Sequence, residues 1–300
     1  MRKFKCGFVS IVGRPNVGKS TLLNSLLKEK VSIISKVPQT TRYIIRGILN
    51  LKSTQIVFVD TPGIHLFKDR LTSSLNILAL NALKDVEVIL YVTDSTRPPH
   101  KEEEKIMNSL ALRKTPLIMA LNKIDKSEKY IPDYIEMWQR KTGGKKGSLK
   151  YFIPISALKG TGLDKIQEVI VESLPQSPPF YEKDTITDFP IFYRVSDVIR
   201  EKICSLLKEE LPHNIAVEVE SIDNQGSLVK VQARILIAKK SHKLIVIGRR
   251  GSMIKEIGTL ARKDLEDMFG KKVFLDLWVK LEKDWYNKPR VLKELGYTGI

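Results

Sequence analysis

The stretch Gly13-Arg14-Pro15-Asn16-Val17-Gly18-Lys19-Ser20-Thr21 stands between the apolar run Phe8 to Val12 and a segment with helical apolar periodicity. It matches G-x-x-x-x-G-K-[ST], and strand, glycine-rich turn and helix is the context in which that pattern has a mechanism. Glycines let backbone amides point inward at phosphate oxygens, and the positive end of the following helix lies under the anion. In that geometry Lys19 reaches the β and γ phosphates of a nucleotide and Ser20 offers its hydroxyl to Mg2+.

Outward from this loop, apolar runs recur at Ile56 to Val59, Val88 to Val92, Leu117 to Leu121 and Tyr151 to Ile155, separated by helical patterns. Such alternation predicts an α/β domain with a mostly parallel sheet flanked by helices. Asp60 ends the second run and opens Asp60-Thr61-Pro62-Gly63, which places a carboxylate at the carboxyl edge of the sheet, where ligands gather. Holding Mg2+ there, through water, is its expected task.

The alternation stops after Ser173, where Pro175, Pro178, Pro179 and Pro190 punctuate a polar stretch. We therefore expect one domain over 1–174, a Pro-rich linker over 175–190 and a smaller α+β domain over 191–300. In the last of these, Val195, Val198, Ile199, Ile203, Leu206 and Leu207 share a helical face. Strands over 216–220 and 228–238 flank a turn at 223–227, which predicts a hairpin. A short strand at Leu244 to Ile247, a Gly248 to Gly251 loop, a helix through about Phe269 and a strand from Val273 to Leu281 complete the expected order.

The formal net charge is +17, from 51 Lys and Arg against 34 Asp and Glu, which favours a polyanionic partner. Residues 239–263 concentrate it: Lys239, Lys240, Lys243, Arg249, Arg250, Lys255, Arg262 and Lys263 face only Glu256. Apolar stretches of about five residues exclude a spanning helix, which needs roughly twenty. Cys6 and Cys204 are too far apart in sequence for a metal-ligand spacing and suit a reducing cytoplasm, with no signal or transit peptide expected before them.

Asn122-Lys123-Ile124-Asp125 follows the run at 117–121, and Ser156-Ala157-Leu158 follows the run at 151–155. With these elements the chain resembles the translation-factor-like GTPases, whose guanine-specificity motifs are N-K-x-D and S-A-[LK]. The resemblance implies that Asp125 accepts from the guanine nitrogens, Asn122 orients the base loop and the Ala157 amide faces the guanine oxygen. It places a first switch at Pro38-Gln39-Thr40-Thr41-Arg42, with Thr41 as the residue that senses the γ phosphate through Mg2+. Ile64 stands where many such GTPases carry a water-orienting glutamine, which implies slow intrinsic turnover. Asn16 matches the asparagine that helps hold K+ in potassium-stimulated relatives.

Gly248-Arg249-Arg250-Gly251 is a G-x-x-G loop of the kind that K-homology (KH) domains use to clamp a nucleic-acid backbone. Its arginines and the surrounding basic residues, Lys239, Lys240, Lys243 and Lys255 among them, add charge for phosphates. The element order resembles the bacterial, type II form of this domain. Trp278, Trp285 and Tyr286 are read as core or half-buried and carry no site role. Together the motifs resemble the bacterial ribosome-assembly GTPases of the TrmE-Era-EngA-like family. That implies a monomeric cytoplasmic protein that hydrolyses GTP to GDP and phosphate and binds near the 3′ end of 16S ribosomal RNA, acting in assembly of the small ribosomal subunit. A competing reading has the basic face on anionic lipid at the cytoplasmic side of the membrane.

Overall fold

Thr54–Asp60, Val88–Asp94 and Leu117–Asn122 are buried residue after residue. A strand shows that pattern only when both its faces are covered, as in a parallel sheet between two helical layers. In the computed structural model of the chain, which describes residues 4–35, 37, 40–64, 69–143, 149–207 and 211–298, these strands form the centre of a six-stranded sheet. Its elements are β1 (Lys5–Val12), α1 (Lys19–Leu27), β2 (Ile45–Leu51), β3 (Thr54–Asp60), α2 (Arg70–Asn81), β4 (Val88–Asp94), α3 (Lys101–Ala111), β5 (Leu117–Asn122), α4 (Ile131–Thr142), β6 (Leu149–Ile155) and α5 (Leu163–Ser173).

The strand order is β2-β3-β1-β4-β5-β6, so the winding reverses about β1 and opens a crevice at the carboxyl ends of the strands. All neighbours are parallel except β2, which runs antiparallel to β3. The sequence reading missed β2, because its two-residue connection to β3 at Lys52 and Ser53 makes both strands read as one interrupted stretch. One core of this unit lies under α3 and α4, where Tyr91, Met107, Met119, Tyr134 and Trp138 pack together.

The chain divides into two compact units, one of 1–32, 41–67 and 75–188, the other of 33–40, 68–74 and 189–300. The Pro-rich stretch therefore packs with the first unit as far as residue 188. Its anchor is the wholly buried carboxamide of Gln55 on β3. Gln55 Oε1 accepts the amides of Phe180 (2.7 Å) and Tyr181 (3.0 Å), and Nε2 donates to the carbonyl of Tyr181 (2.9 Å) and to Asn50 Oδ1 (2.8 Å). Phe180 stacks on Phe8 with ring centroids 5.2 Å apart.

The second unit contains α6 (Ile191–Leu206), β7 (Ile215–Gln225), β8 (Leu228–Ile237), α7 (Lys240–Ile247), α8 (Ser252–Phe269), β9 (Lys272–Leu281) and α9 (Pro289–Glu294). Its sheet has the order β7-β8-β9, with β7 antiparallel and β9 parallel to β8. Along β8, Val229, Val231, Ala233, Ile235 and Ile237 point inward and meet Val195, Ile199 and Ile203 of α6 and Ile257, Ala261 and Leu265 of α8. Period-two burial on one face marks a sheet covered by helices on one side only.

Two expectations are corrected here. Leu244 to Ile247 is the end of a helix, with Val246 buried while Leu244 and Ile245 are exposed, a one-sided burial that no buried strand would show. Short apolar runs do not distinguish the two by periodicity. The first strand of the hairpin also continues to Gln225, past its expected end at 220 and into the expected turn, with a register shift between Val219 and Ser221.

Replacing Gln55 by Leu removes the acceptor of the half-buried amides of Phe180 and Tyr181, a loss of about 1 kcal/mol per hydrogen bond. Chemical denaturation should show a lowered midpoint for this variant; unfolding like wild type would mean that the stretch is anchored elsewhere.

Candidate functional site

A loop can aim its amides at an anion only if its carbonyls are turned away and satisfied there. That is how residues 13–18 are built. Lys19 Nζ donates to the carbonyls of Gly13 (3.1 Å) and Arg14 (2.9 Å), Lys123 Nζ to that of Asn16 (2.6 Å) and Asn122 Nδ2 to that of Val17 (2.7 Å). The carbonyl of Gly18 takes the Leu22 amide at 2.8 Å as the first turn of α1, which also carries Thr21. Two glycines are needed for space: a Cβ on Gly13 would sit 2.3 Å from the carbonyl oxygen of Val92, and one on Gly18 2.3 Å from Asn122 Nδ2. Arg14, expected to bind nucleotide, turns its guanidinium to Glu102 and Glu103 on α3.

Beside the loop, Ser20 Oγ donates to Asp60 Oδ2 at 2.7 Å and lies 2.9 Å from Thr41 Oγ1. Ser32, which sequence reading missed, donates to the same Asp60 oxygen at 3.0 Å. Asp60 is wholly buried, yet its Oδ1 has no hydrogen-bond partner. Two hydroxyls around a buried carboxylate with an unsatisfied oxygen fit Mg2+, a hard cation that takes few protein ligands and completes its shell with phosphate and water. Burial pushes the Asp60 carboxyl up, against the opposing pull of Lys19, Ser20, Ser32 and the Thr61 amide. Burial likewise pushes the Lys19 ammonium down to about 8, with Asp60 opposing.

Thr61 Oγ1 donates to the carbonyl of Ile11 at 2.9 Å, tying the end of β3 to β1. A Cβ on Gly63 would meet the ring of Pro15 at 2.6 Å, so the Asp60-Thr61-Pro62-Gly63 turn approaches the phosphate loop as closely as backbone permits. Ile64 packs against the core under α3 and α4 and offers water no polar atom. Pro38 and Gln39 of the expected first switch lie outside the described residues. Thr40 falls in the second unit, where its carbonyl accepts from Arg200 of α6, itself paired with Asp197 at 2.7 Å in full burial. The neighbouring Glu201 accepts the amide of Ile34 at 3.1 Å.

The third group of residues joins the ends of β5 and β6. Asn122 Oδ1 accepts the Ala157 amide at 2.9 Å, Ile124 N donates to the carbonyl of Ile155 at 3.2 Å, and Ser156 Oγ donates to Asp125 Oδ1 at 2.6 Å. Asp125 and Leu158 are exposed at the rim. The Ala157 amide, expected to face a guanine oxygen, is in this structure directed at Asn122. Asp94, at the end of β4, holds Lys123 at 2.6 Å and was not singled out from sequence, having no motif neighbour.

In the second unit the glycine loop joins α7 to α8 with left-handed backbone at Gly248 (φ 76°), Arg250 (φ 52°) and Gly251 (φ 79°). A Cβ on Gly248 would lie 2.7 Å from the backbone nitrogen of Met253, whereas Gly251 faces open space. Lys239, Lys240, Lys243, Arg249, Arg250 and Lys255 are all exposed. Between α8 and β9 a cleft of about 410 Å³ is lined by Ile254, Lys255, Gly258, Thr259 and Arg262 on one wall and by 273–277 on the other. Gly258 costs the helix about 1 kcal/mol relative to Ala, and a Cβ there would only touch Leu277 at an ordinary 3.6 Å. Its effect is to deepen the cleft. Sequence reading missed this wall, whose residues meet only once β9 pairs with β8. Trp285 is buried, donating to the carbonyl of Asn214 at 3.0 Å.

Comparison with known proteins agrees with both halves. The family profile described as 50S ribosome-binding GTPase matches residues 8–123, and the KH-domain profile matches residues 210–286. GTPase Era of Halothermothrix orenii is 44% identical over 298 residues, spanning 99% of each chain, and GTPase Era of Geobacter metallireducens is 41% identical over 298 residues and 98% of each. Among solved structures, Era in complex with MgGDPNP and nucleotides 1506–1542 of 16S ribosomal RNA superposes with a TM-score of 0.92 at 39% identity, covering 98% of this chain and 99% of that one. Aquifex aeolicus Era bound to GDP and AlF4− gives a TM-score of 0.91 at 38% identity, again over 98% of this chain and 99% of the other. With a phosphate loop, a guanine-type base loop and a KH domain in one chain matched end to end, the protein belongs to the Era family of GTPases.

Proposed function

We infer that the chain is a GTP-hydrolysing switch that binds 16S ribosomal RNA near its 3′ end and acts in small-subunit assembly in the cytoplasm. The observation that supports it most is the relative solved with both MgGDPNP and that RNA segment, 39% identical across 98% of this chain. That relative also favours RNA over anionic lipid as the partner of the basic face. Among the described residues no helix is long and apolar enough to cross a membrane.

In this reading the backbone amides of the loop 13–18, Pro15 excepted, and Lys19 hold the phosphates, and Lys19 stabilises charge that develops on them. Ser20 and Thr41 would hold Mg2+ directly and Asp60 through water, and such a metal would supply positive charge to the phosphates. Asp125 accepts from guanine at the exposed rim, and Asn122 keeps that rim registered to the phosphate loop. With Ile64 unable to orient water, intrinsic turnover is slow, and K+ held beside Asn16 supplies further positive charge.

Loss of the γ phosphate releases Thr41, while the preceding Thr40 and Ile34 are held by Arg200 and Glu201 of the second unit. Nucleotide state thereby biases the RNA-binding unit, a population shift that requires tighter RNA binding in one state. On that unit the RNA backbone meets Gly248 to Gly251 with Arg249 and Arg250, while bases enter the cleft beside Gly258.

The test is affinity for an RNA copy of the 16S 3′ end, measured with a GTP analogue and with GDP, for wild type and Gly258→Leu. A leucine fills the cleft and suits the helix, so RNA affinity should fall about tenfold, 1.4 kcal/mol, with GTP hydrolysis intact. Equal wild-type affinity in the two nucleotide states would refute the coupling. Asp125→Asn should move nucleotide preference from guanine toward xanthine in competition binding, and unchanged preference would remove Asp125 from the base site. Phosphate release should be faster in KCl than in NaCl, and equal rates would exclude the K+ role.

A further inference from the structure

Arg14 lies inside the phosphate loop, but its side chain is held from outside. Nε donates to Glu102 Oε2 at 2.6 Å, and Nη1 reaches both oxygens of Glu103 at 3.0 and 2.8 Å. Glu103 is 1% exposed, a burial at which a carboxylate needs both a counter-charge and hydrogen bonds. It has them: Oε2 also accepts the His100 amide at 2.9 Å, closing the capping box of α3, and the Tyr134 hydroxyl lies 3.5 Å from Oε1. Burial disfavours the charge on Arg14, and the two carboxylates outweigh it, keeping the guanidinium firmly protonated.

The backbone of the same residue carries the consequence. The carbonyl of Arg14 accepts Lys19 Nζ at 2.9 Å, beside that of Gly13 at 3.1 Å. A side chain fixed by two carboxylates on α3 fixes the peptide plane that holds the lysine. It also spends the arginine charge, so Arg14 contributes geometry to the cradle and little net potential.

We propose that Glu103, assisted by Glu102, is a positioning residue for GTP binding and hydrolysis, acting through Arg14 to set the phosphate loop and Lys19 before nucleotide arrives. The inference rests on the reading that Lys19 engages the phosphates. Preorganisation of this kind lowers the ordering cost that binding would otherwise carry.

The experiment measures GTP and GDP dissociation constants, kcat/KM and thermal midpoint on the full chain for Glu103→Gln, Arg14→Met, their combination and Lys19→Ala. Glutamine keeps the shape and the capping-box bond at position 103 while removing the charge. Each single change at 14 or 103 should weaken nucleotide binding and lower kcat/KM about tenfold, and the double variant should be no worse than either single one, since both break one path. Losses that multiply to about a hundredfold, or a lowered thermal midpoint with wild-type nucleotide affinity, would overturn the proposal. Should Glu103→Gln fail to fold, Arg14→Met alone must show the loss, and wild-type affinity in it is refuting. Wild-type turnover in Lys19→Ala would sink the phosphate reading itself; impaired Lys19→Ala beside unaffected Glu103→Gln and Arg14→Met would sink only the positioning role.

Discussion

An anion-binding loop carries a carbonyl on every residue, and each carbonyl left facing the anion would repel it. The chain solves this by giving four carbonyls of residues 13–17 a side-chain donor: Lys19 for two, Lys123 and Asn122 for one each. Two of those donors belong to the base-recognition motif. The phosphate loop and the loop at 122–125 are therefore one hydrogen-bonded object. Asp94 completes it by fixing Lys123; burial disfavours its charge, but bonds from Lys123 and Thr96 prevail and hold the carboxyl below its usual range.

Two buried ionisable groups of opposite sign share the same site. Lys19 and Asp60 are both buried, and burial drives each toward its neutral form, the lysine down to about 8 and the aspartate upward. Each opposes the other's shift, since the ammonium favours the carboxylate and the carboxylate favours the ammonium.

The second unit uses a different economy of backbone. Its sheet is covered on one side by α6 and α8, and its binding features lie where glycine removes bulk: the left-handed turn at Gly248 and Gly251, and the gap at Gly258 in mid-helix. Exposed Lys and Arg surround these openings without filling them.

Much of this was legible in sequence wherever chemistry is local. Residues 13–20, 60–63, 122–125, 156–158 and 248–251 each carry their meaning in spacing, because a tight turn at a strand end needs particular residue types regardless of what lies across the fold. The parallel core was legible too, since strands buried on both faces read as unbroken apolar runs. Several features were not. Strand β2 borrows its order from β3, the stretch 175–188 borrows its place from Gln55, and Leu244 to Ile247 form a helix because only one side of them is covered. Arg14 shows the division best. By itself the sequence determined that an arginine stands in a phosphate loop; only the tertiary structure decided that it faces α3, because Glu102 and Glu103 are brought beside it by a fold that joins residues nearly ninety positions apart.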